Sequence, residues 1–321
     1  MHIKEIDSSF EEKYTRLCGG PPAFNSFDWQ KKVHPSGLKV YGIFEDDGQM
    51  IGAFHLYLQK KMGFTFIKTP HYIPNIGLVY NNRTQNEANS LSFNKKVVEQ
   101  VCDFVSSLPY GVISIALPPD VIDAQPFFWN KFKVIPNYTY RLNLNLSAEE
   151  IEKRFSPEHR NSIKKAVKEG VEVKECKDLE VVKKVILRTF SQKEKSVSEE
   201  NINSILFRIA DPANSFAFTA SLNNEVIAAT FCLYDNKCCY YLLGGYSNDS
   251  KQHGAGALCV YNSILKAKQL NIPVFDFEGS MIKEVERYFR SFGGELVPYY
   301  TVNKAKLPFE MILKLIKREL F

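Results

Sequence analysis

The sequence lacks the residue patterns of disulfide-rich, metal-binding and membrane-spanning proteins. Its seven cysteines are odd in number and follow no framework spacing, and its six histidines are scattered, so we expect no metal site. No run of about 18 apolar residues occurs, which predicts no integral membrane segment. The first residues include acids and no apolar core, so we expect no signal peptide and a reducing, cytoplasmic location.

A strong charge imbalance is absent as well. The chain has 41 Lys and Arg residues against 36 Asp and Glu, a net charge of +5, which argues against a strongly basic nucleic-acid-binding protein. Local basic patches are compatible with this balance. With 321 residues, 24 Phe and 16 Tyr, the chain is long enough for two domains with large apolar cores.

Residues 240–302 contain the most informative pattern. An apolar strand at 240–246 leads to a loop with glycines at positions 254 and 256, and an amphipathic helix follows at once. Glycine lets the backbone approach a ligand, and the first N–H groups of a helix have no partner within the helix. These donors suit a phosphate or pyrophosphate, although a plain glycine turn is an open alternative.

Three segments carry a resemblance to known families. Lys251-x-x-Gly254-x-Gly256 resembles the pyrophosphate loop of the GNAT superfamily of acyl-CoA N-acyltransferases, where Gln or Arg is usual at the position of Lys251. Residues 275–280 (Phe-Asp-Phe-Glu-Gly-Ser) and 288–295 (Tyr-Phe-Arg-Ser-Phe-Gly-Gly-Glu) resemble the closing segments of Fem-type transferases. Residues 160–171 resemble another segment that Fem proteins share with related bacterial acyltransferases.

An internal repeat extends the pattern to the first half. At a constant offset of 162, residues 112–115 align with 274–277, and residues 134–139 align with 296–301. We interpret this as a tandem duplication of one α/β unit, although chance agreement between two apolar strand pairs remains the alternative. The first copy has Asn81 to Gln85 in place of the glycine loop, so a phosphate cofactor would bind the second copy.

The resemblance implies the fold class and the domains. We expect an α/β (α+β) protein of two tandem GNAT-like domains, each a mixed, mostly antiparallel sheet flanked by helices. Residues 1–146 would form an N-terminal domain with a substrate-side or structural role. Residues 147–321 would form the C-terminal domain with the donor-binding loop.

The donor site follows from the same resemblance. In GNAT folds the strand before the pyrophosphate loop diverges from its neighbour, and its N–H groups hold the acyl carbonyl. Here that role falls to the backbone of residues 242–245, and the pyrophosphate role falls to the glycine loop. The predicted cofactor-binding residues are Leu243, Gly244, Lys251, Gly254, Ala255 and Gly256.

The candidate catalytic residues lie after the donor loop. Glu278, at the end of a buried strand, is the best candidate for the base that takes the amine proton, and Asp276 points to the same side of the strand. An ion pair is the alternative for both. Arg290 stands where Fem proteins carry a functionally important Lys, and arginine can hold a carboxylate or oxyanion but cannot give up its proton.

Other residues are predicted to contact substrate. Arg160 and Lys164 begin a basic helix face, continued by Lys165 and Lys168, that would meet CoA phosphates, tRNA or a nucleotide-linked precursor; a solvated face is the alternative. By the resemblance, Phe289 stands at the position of the GNAT tyrosine acid, with Tyr288 one residue away.

Three functions remain open from the sequence. The first is an N-acyltransferase that moves an acyl group from acetyl-CoA or another acyl-CoA to a small-molecule or peptide amine by direct attack. The second is a Fem-type peptidyltransferase that uses aminoacyl-tRNA and acts on a peptidoglycan precursor. The third is a non-catalytic GNAT-fold binding protein, suggested by Arg290. The oligomeric state does not follow from the sequence.

The segment 307–321 predicts an amphipathic, basic helix. Its apolar residues alternate with Lys314, Lys317 and Arg318 at helical spacing. Such a helix can touch a membrane surface or anionic RNA. We favour the alternative that it packs on its own domain.

Overall fold

The chain divides into two compact units. A computed structural model describes residues 1–321 except 25, 34–36, 62, 70–72, 193–197, 247–253, 280 and 321. The first unit consists of Met1–Tyr138 and Pro298–Phe321, and the second of Thr139–Val297. Each unit has a sheet and helices of its own.

The elements of the first unit begin with a strand and a short 3₁₀ turn at Ser8–Phe10. In chain order they are β1 (His2–Ile6), α1 (Glu11–Cys18), α2 (Phe27–Val33), β2 (Leu38–Phe44), β3 (Met50–Lys61), β4 (Phe64–Lys68), β5 (Val79–Tyr80), α3 (Glu87–Ser107), β6 (Val112–Ala116), α4 (Gln125–Trp129) and the start of β7 (Lys133–Asn143). Alternating apolar residues in β3 and β6 and the helical spacing of Val97, Val98 and Val101 in α3 account for a core between sheet and helices.

The elements of the second unit repeat this plan. They are the end of β7, then α5 (Ala148–Arg154), α6 (Pro157–Lys168), β8 (Glu172–Glu175), α7 (Leu179–Gln192), α8 (Glu199–Asn203) with a π-helical turn at Ser204–Ile209, β9 (Ser215–Leu222), β10 (Glu225–Tyr234), β11 (Cys238–Tyr246), α9 (Ala255–Gln269), β12 (Val274–Asp276), α10 (Lys283–Arg290) and β13 (Glu295–Ala305), whose end returns to the first unit and leads to α11 (Leu307–Ile316).

The two sheets have the same strand order and the same mixture of directions. The first runs β1-β2-β3-β4-β6-β13, and the second runs β8-β9-β10-β11-β12-β7. Among the described strands, β4 with β6 and β11 with β12 are the parallel pairs, and the other pairs along these two orders are antiparallel. This agreement supports the predicted duplication and the predicted mixed, mostly antiparallel sheets.

The last strand of each sequence repeat pairs with a strand of the other repeat. Strands β7 and β13 correspond at the offset of 162, yet β7 pairs with β12 and β13 pairs with β6. The observed units therefore differ from the predicted domains, because the boundary lies at Tyr138 and residues 298–321 belong to the first unit. Long-range strand pairing is not encoded by order along the chain.

Local signals in the sequence set the break between α5 and α6. Ser147 and Glu150 form a capping box at the start of α5, and Ser156 accepts a hydrogen bond from the backbone N–H of His159 at the start of α6. Pro157 occupies the first turn of α6, where its missing N–H is not needed. Helix α6 therefore begins at Pro157 as a helix separate from α5.

The last helix packs on its own unit through one residue. Phe309 of α11 packs against the rings of Phe64 and Phe66, as the favoured interpretation predicts. Leu307, Met311 and Leu315 are nevertheless exposed. No helix in the described part of the chain combines the length and the apolar character needed to cross a bilayer.

Two glycines with positive φ allow a test of close packing in the second unit. Gly293 has φ +69°, and a Cβ there would lie 2.2 Å from the carbonyl oxygen of Arg154, whereas Gly170 has φ +84° and open space around it. We predict that Gly170→Ala lowers the free energy of unfolding by about 1 kcal/mol and that Gly293→Ala lowers it by about 3 kcal/mol or more. Urea unfolding measures both, and equal effects would contradict the steric explanation.

Candidate functional site

An opening in the sheet of the second unit forms where two neighbouring strands diverge. Strand β11 pairs with β12 only through Cys238–Tyr240, whose partners are Val274–Asp276. Beyond Asp276 the chain stays with β7, since the N–H of Phe277 donates to the carbonyl of Tyr140 at 3.0 Å. Strand β11 continues to Tyr246, so its residues 241–245 have no strand partner on this side among the described residues.

A β-bulge lies in β11 at this opening. Leu243 pairs with Phe231 of β10 and Tyr241 pairs with the next residue, Cys232, so Leu242 is the extra residue of the bulge. A bulge bends its strand and changes which face the following side chains occupy. It therefore turns residue 244 to the same face as Tyr241.

The two glycines after the bulge are required by close neighbours on opposite faces. A Cβ on Gly244 would lie 1.7 Å from the hydroxyl oxygen of Tyr241, and a Cβ on Gly245 would lie 2.6 Å from Oγ1 of Thr189 in α7. The hydroxyl of Thr189 also accepts a hydrogen bond from the N–H of Tyr246 at 2.8 Å. The absence of side chains at residues 244 and 245 thus lets Tyr241 pack on one face of the strand and α7 on the other.

The N-terminus of α9 adjoins the same region. Gly254 is its N-cap, and no side chain caps this end of the helix among the described residues. A Cβ on Gly254 would lie 2.1 Å from the carbonyl oxygen of Ser162, so this glycine allows α6 to pack on α9. Gly256 has more space, because the atoms nearest to a Cβ at that position would belong to Tyr288 and Tyr246, at 3.7 and 3.8 Å.

The equivalent positions of the first unit differ. Helix α3 has Asn86 as its N-cap, and the side chain of Asn86 accepts from the N–H of Asn89 at 3.1 Å. Strand β4 pairs with β3 without a register shift, in contrast to β11 with β10. The uncapped helix and the bulged strand therefore occur together in the second unit.

Asp276 is fully engaged at the end of β12. Its Oδ1 accepts from the hydroxyl of Thr139 at 2.5 Å and from the N–H of Glu278 at 2.8 Å, and its Oδ2 accepts from Nε of Arg141 at 2.8 Å. The bond to Glu278 forms a turn of the kind in which an Asp side chain replaces a backbone carbonyl. Asp276 therefore ends the strand and pairs with a cation, as its alternative interpretation predicts.

Glu278 lies in this turn with a rare backbone conformation and a raised pKa. Its φ is +60°, in the left-handed region that non-glycine residues rarely adopt. Burial, and then the negative charge of Asp276, raise the pKa of the Glu278 carboxyl well above its ordinary value, and Arg141 offsets part of this effect. A carboxyl with a raised pKa is suited to accept a proton near neutral pH.

The register of the strands separates two sets of side chains. Tyr240, Asp276 and Arg141 are cross-strand partners, so their side chains share one face of the sheet. The neighbours Tyr241 and Phe277 lie on the opposite face, with their rings 6.5 Å apart in the core beneath α9 and α10. The opening between β11 and β12 lies between these two faces.

Two adjacent aromatic residues of α10 have different environments. Phe289 is buried with its ring 5.8 Å from that of Tyr241 and 5.4 Å from that of Phe277, so it packs in the core, and its contact with substrate stays a prediction. Tyr288 instead brings its hydroxyl towards Gly256. Burial raises the pKa of the Tyr288 hydroxyl, which keeps it protonated as a potential donor. Because Tyr288 and Phe289 are adjacent, sequence comparison alone does not decide which of the two lies in the core.

His159 is a further residue that sequence reasoning missed. It lies on α6 with its ring 4.3 Å from that of Phe292 and 5.4 Å from that of Tyr288. Its Nε2 is buried and has no hydrogen-bond partner among the described residues. Burial lowers the pKa of His159 to about 4, so the imidazole is neutral at physiological pH.

The remaining predicted residues lie on α6, α9 and α10 or outside the described residues. Arg290 is 62% exposed and its Nε is 2.9 Å from Oε1 of Glu286. Arg160 donates to the carbonyls of Lys153 and Phe155 at the end of α5, and Lys164 is exposed on α6. Lys251 lies outside the described residues. Ala255 is buried in the first turn of α9.

Free cysteines and acids form no metal centre in the part of the chain that the structure describes. No group of three or more His, Cys, Asp or Glu side chains is arranged to hold a metal ion there. The seven cysteines are free, and burial raises the pKa values of Cys238, Cys239 and Cys259. Such thiols are protonated and behave as apolar packing groups.

The sequence of the second unit matches a known domain family. Residues 154–290 match the family model of the acetyltransferase (GNAT) domain. The matched range contains β11, the start of α9, Glu278 and Tyr288. No curated protein matches the chain.

Solved structures share the fold of the whole chain. FemX aligns over 98% of this chain and 100% of its own, with 12% identity and a TM-score of 0.67. The C-terminal domain of a putative lysylphosphatidylglycerol synthetase from Agrobacterium fabrum covers 98% and 96%, with 10% identity and a TM-score of 0.59. A tandem GNAT protein from the clavulanic acid biosynthesis pathway covers 94% and 97%, with 9% identity and a TM-score of 0.56. At these identities the likeness shows a shared fold.

The neutral, unpartnered His159 generates a prediction about stability. The unfolded chain gains a proton on histidine below about pH 6.5, whereas the folded chain does not until about pH 4, so acid favours unfolding across this window. We predict that His159→Phe removes this loss and makes the protein about 1–2 kcal/mol more stable than the wild type at about pH 5. The difference should shrink towards pH 7.5.

Thermal or urea unfolding of both proteins at several pH values measures this effect. Phenylalanine keeps the aromatic packing with Phe292 and Tyr288 and has no nitrogen to protonate. Parallel pH profiles for the wild type and the variant would contradict the prediction.

Proposed function

Because residues 154–290 match a GNAT domain and the chain has a tandem, Fem-like GNAT fold, we propose that the protein is an N-acyltransferase that binds its acyl donor at the opening beside β11. The acceptor is an amine on a small molecule or a peptide. Acyl-CoA is the donor that we favour. Aminoacyl-tRNA is the second candidate.

The coincidence of three features in one unit carries this proposal. The diverging edge of β11, the bulge at Leu242 and the uncapped N-terminus of α9 occur together, and their counterparts in the first unit are unbulged or capped. Free backbone N–H groups on a strand edge can hold the acyl carbonyl. Free N–H groups at a helix N-terminus can hold a phosphate.

The residues around the opening suit direct transfer. The neutral acceptor amine forms a bond from its nitrogen to the carbonyl carbon of the donor, and the nitrogen loses a proton to Glu278 as this bond forms. The bond from the carbonyl carbon to the sulfur or oxygen of the donor then breaks, and the leaving atom takes a proton from the hydroxyl of Tyr288. Proton exchange with solvent removes the proton from Glu278 and returns one to Tyr288, which restores both groups. Asp276 assists by raising the pKa of Glu278, in keeping with its contacts to Arg141 and the turn.

An acyl-CoA would supply a thioester that the amine can attack without a covalent enzyme intermediate. The backbone around Leu243 and Gly244 would face the acyl carbonyl, and the first turn of α9 at Ala255 and Gly256 would face the pyrophosphate. The residue that we expect to add a positive charge, Lys251, belongs to the same loop. Gly254 contributes indirectly, since it lets α6 pack against this turn.

The basic face of α6 favours aminoacyl-tRNA as the second donor. Lys164, Lys165 and Lys168 are exposed on the helix that packs against Gly254 at the start of α9. A polyanion bound at this turn would extend along such a face. Binding of tRNA would weaken steeply with salt, because each phosphate contact releases counterions.

Calorimetric titration and transfer assays distinguish the candidates. Titration with acetyl-CoA and longer acyl-CoAs tests the favoured donor, and filter binding with aminoacyl-tRNA tests the second. Release of thiol or loss of the aminoacyl ester with a panel of amines then measures transfer. Binding without transfer to any amine would favour a non-catalytic GNAT-fold protein, and binding of neither donor would refute the proposed site.

The glycines of α9 provide a matched test of the donor site. Gly256→Ala places a methyl group in ordinary van der Waals contact with Tyr288 and Tyr246 within a helix, so we predict a fold that is more stable by about 0.5–1 kcal/mol. The same methyl group would occupy donor space and weaken donor binding by about tenfold or more. Calorimetry and urea unfolding measure the two effects.

Gly254→Ala is the control for this experiment. Its methyl group would meet the carbonyl of Ser162, so we expect this variant to lose stability instead. Unchanged donor affinity in Gly256→Ala would contradict the placement of the donor at α9.

The role of Glu278 predicts a separable loss of turnover. We expect Glu278→Gln to lower kcat by about 100-fold or more, because glutamine cannot accept the amine proton, while donor affinity stays close to that of the wild type. In the wild type, kcat should rise with pH through the raised pKa of Glu278 and then level off. Glu284→Gln, an exposed acid on α10, is the matched control and should keep full activity.

Two outcomes would contradict this role. One is full turnover in Glu278→Gln, and the other is an unchanged pH profile in that variant. Glu278→Gln should also be more stable than the wild type above about pH 4.3, because glutamine carries no charge whose burial would destabilise the folded state.

A further inference from the structure

Helix α11 presents an apolar surface to solvent. Leu307, Met311 and Leu315 are spaced four residues apart, so they line one side of the helix, and they are 72%, 64% and 87% exposed. Ile312 and Ile316 extend this side and are also more than half exposed. We call these five residues the α11 face. A contiguous exposed apolar patch usually marks a surface that meets a partner.

The helix is anchored by residues that are not part of this face. The ring of Phe309 lies 4.7 Å from that of Phe64 and 5.8 Å from that of Phe66, both in β4, and it also contacts Gly111. The N–H of Lys306 donates to the carbonyl of Gly111 at 2.9 Å. These contacts hold α11 against β4, and the residues of the α11 face remain exposed to solvent.

The surroundings of the α11 face are rich in lysine. Lys60 and Lys61 are exposed at the end of β3, and Lys68 follows Phe66 in β4 with its Nζ 5.2 Å from the phenyl ring. Lys306 and Lys314 flank the face on α11, and Lys314 pairs with Glu310. No Asp or Glu occurs between residues 57 and 68. We call these five lysines the lysine rim.

We propose that the α11 face and the lysine rim dock on the anionic surface of a lipid bilayer. Apolar side chains of an interfacial helix enter the boundary between headgroups and acyl chains, and lysines beside them contact anionic headgroups. The half-exposed ring of Phe64 adds an aromatic group beside α11. A second copy of this chain is a poorer occupant, because two lysine rims would repel each other.

Nucleic acid is a poorer occupant for a different reason. It would satisfy the lysines but offers no apolar phase for Leu315 and Ile316. The bilayer surface matches both the charge and the apolar character of this region.

Vesicle co-sedimentation tests the proposal with the full chain. We expect binding to vesicles that contain about a quarter phosphatidylglycerol in phosphatidylcholine, and weak binding to phosphatidylcholine alone. Binding should fall when salt is raised from about 0.1 M to about 0.5 M, because salt screens the lysines.

Two sets of variants separate the apolar and charged contributions. Leu315→Glu with Met311→Glu should lower binding at least about tenfold, because both side chains are exposed and their loss leaves the fold intact. Lys60→Gln with Lys61→Gln should lower binding to anionic vesicles about 30-fold. Leu91→Glu is the matched control, since Leu91 is 64% exposed on α3, and it should bind as the wild type does.

Several results would overturn the proposal. One is absence of binding to anionic vesicles, and another is binding that none of the α11 or lysine variants changes. A third is a doubled mass in light scattering that Leu315→Glu returns to that of one chain, because the α11 face would then contact a second copy. A fourth is retention of RNA by the wild type with no vesicle binding.

Discussion

The candidate site depends on one turn, in which the side chain of Asp276 accepts a hydrogen bond from the N–H of Glu278 and ends strand β12. Strand β11 extends beyond its last pair with β12, so ending β12 here leaves residues 241–245 without a strand partner on that side among the described residues. The same carboxylate is held by Thr139 and Arg141. Removing any of these contacts would affect the opening as well as the acidity of Glu278.

The duplicated fold shows how one topology acquires a site in only one of its copies. Both units have a parallel pair next to the closing strand, and both place a helix between the strands of that pair. In the first unit Asn86 satisfies the start of the helix, and β4 has no bulge. In the second unit a glycine replaces the capping residue and Leu242 interrupts the register. The difference is therefore local: among the described residues, the side chain of Asn86 caps the start of α3, and no side chain caps the start of α9.

Much of this arrangement could be predicted from the sequence because its signals are local. The glycine loop before a helical pattern, Ser147 and Pro157 at the helix starts, and the repeat at a fixed offset all act within a few residues. The exchange of β7 and β13 could not be predicted, because it depends on which distant strand completes each sheet. The environment of Phe289 and Tyr288 also required the structure, since one step along a helix decides which ring is buried. Gly254 and α11 illustrate the same limit. Gly254 matches a phosphate-loop pattern, yet its missing Cβ is required by Ser162 of a neighbouring helix. Helix α11 packs through Phe309, and its sequence does not show that Leu307, Met311 and Leu315 stay exposed.

The division of side chains between the two faces of the sheet bears on the proposed chemistry. Glu278 interacts with Asp276 and Arg141 on one face, and Tyr288 lies with Tyr241 and Phe277 in the layer on the other. An acyl carbon held at the edge of β11 would lie between them. The amine could then lose its proton to Glu278 on one side while the leaving group gains one from Tyr288 on the other. A complete parallel pair would close this path, so the proposed transfer requires β12 to end at Asp276.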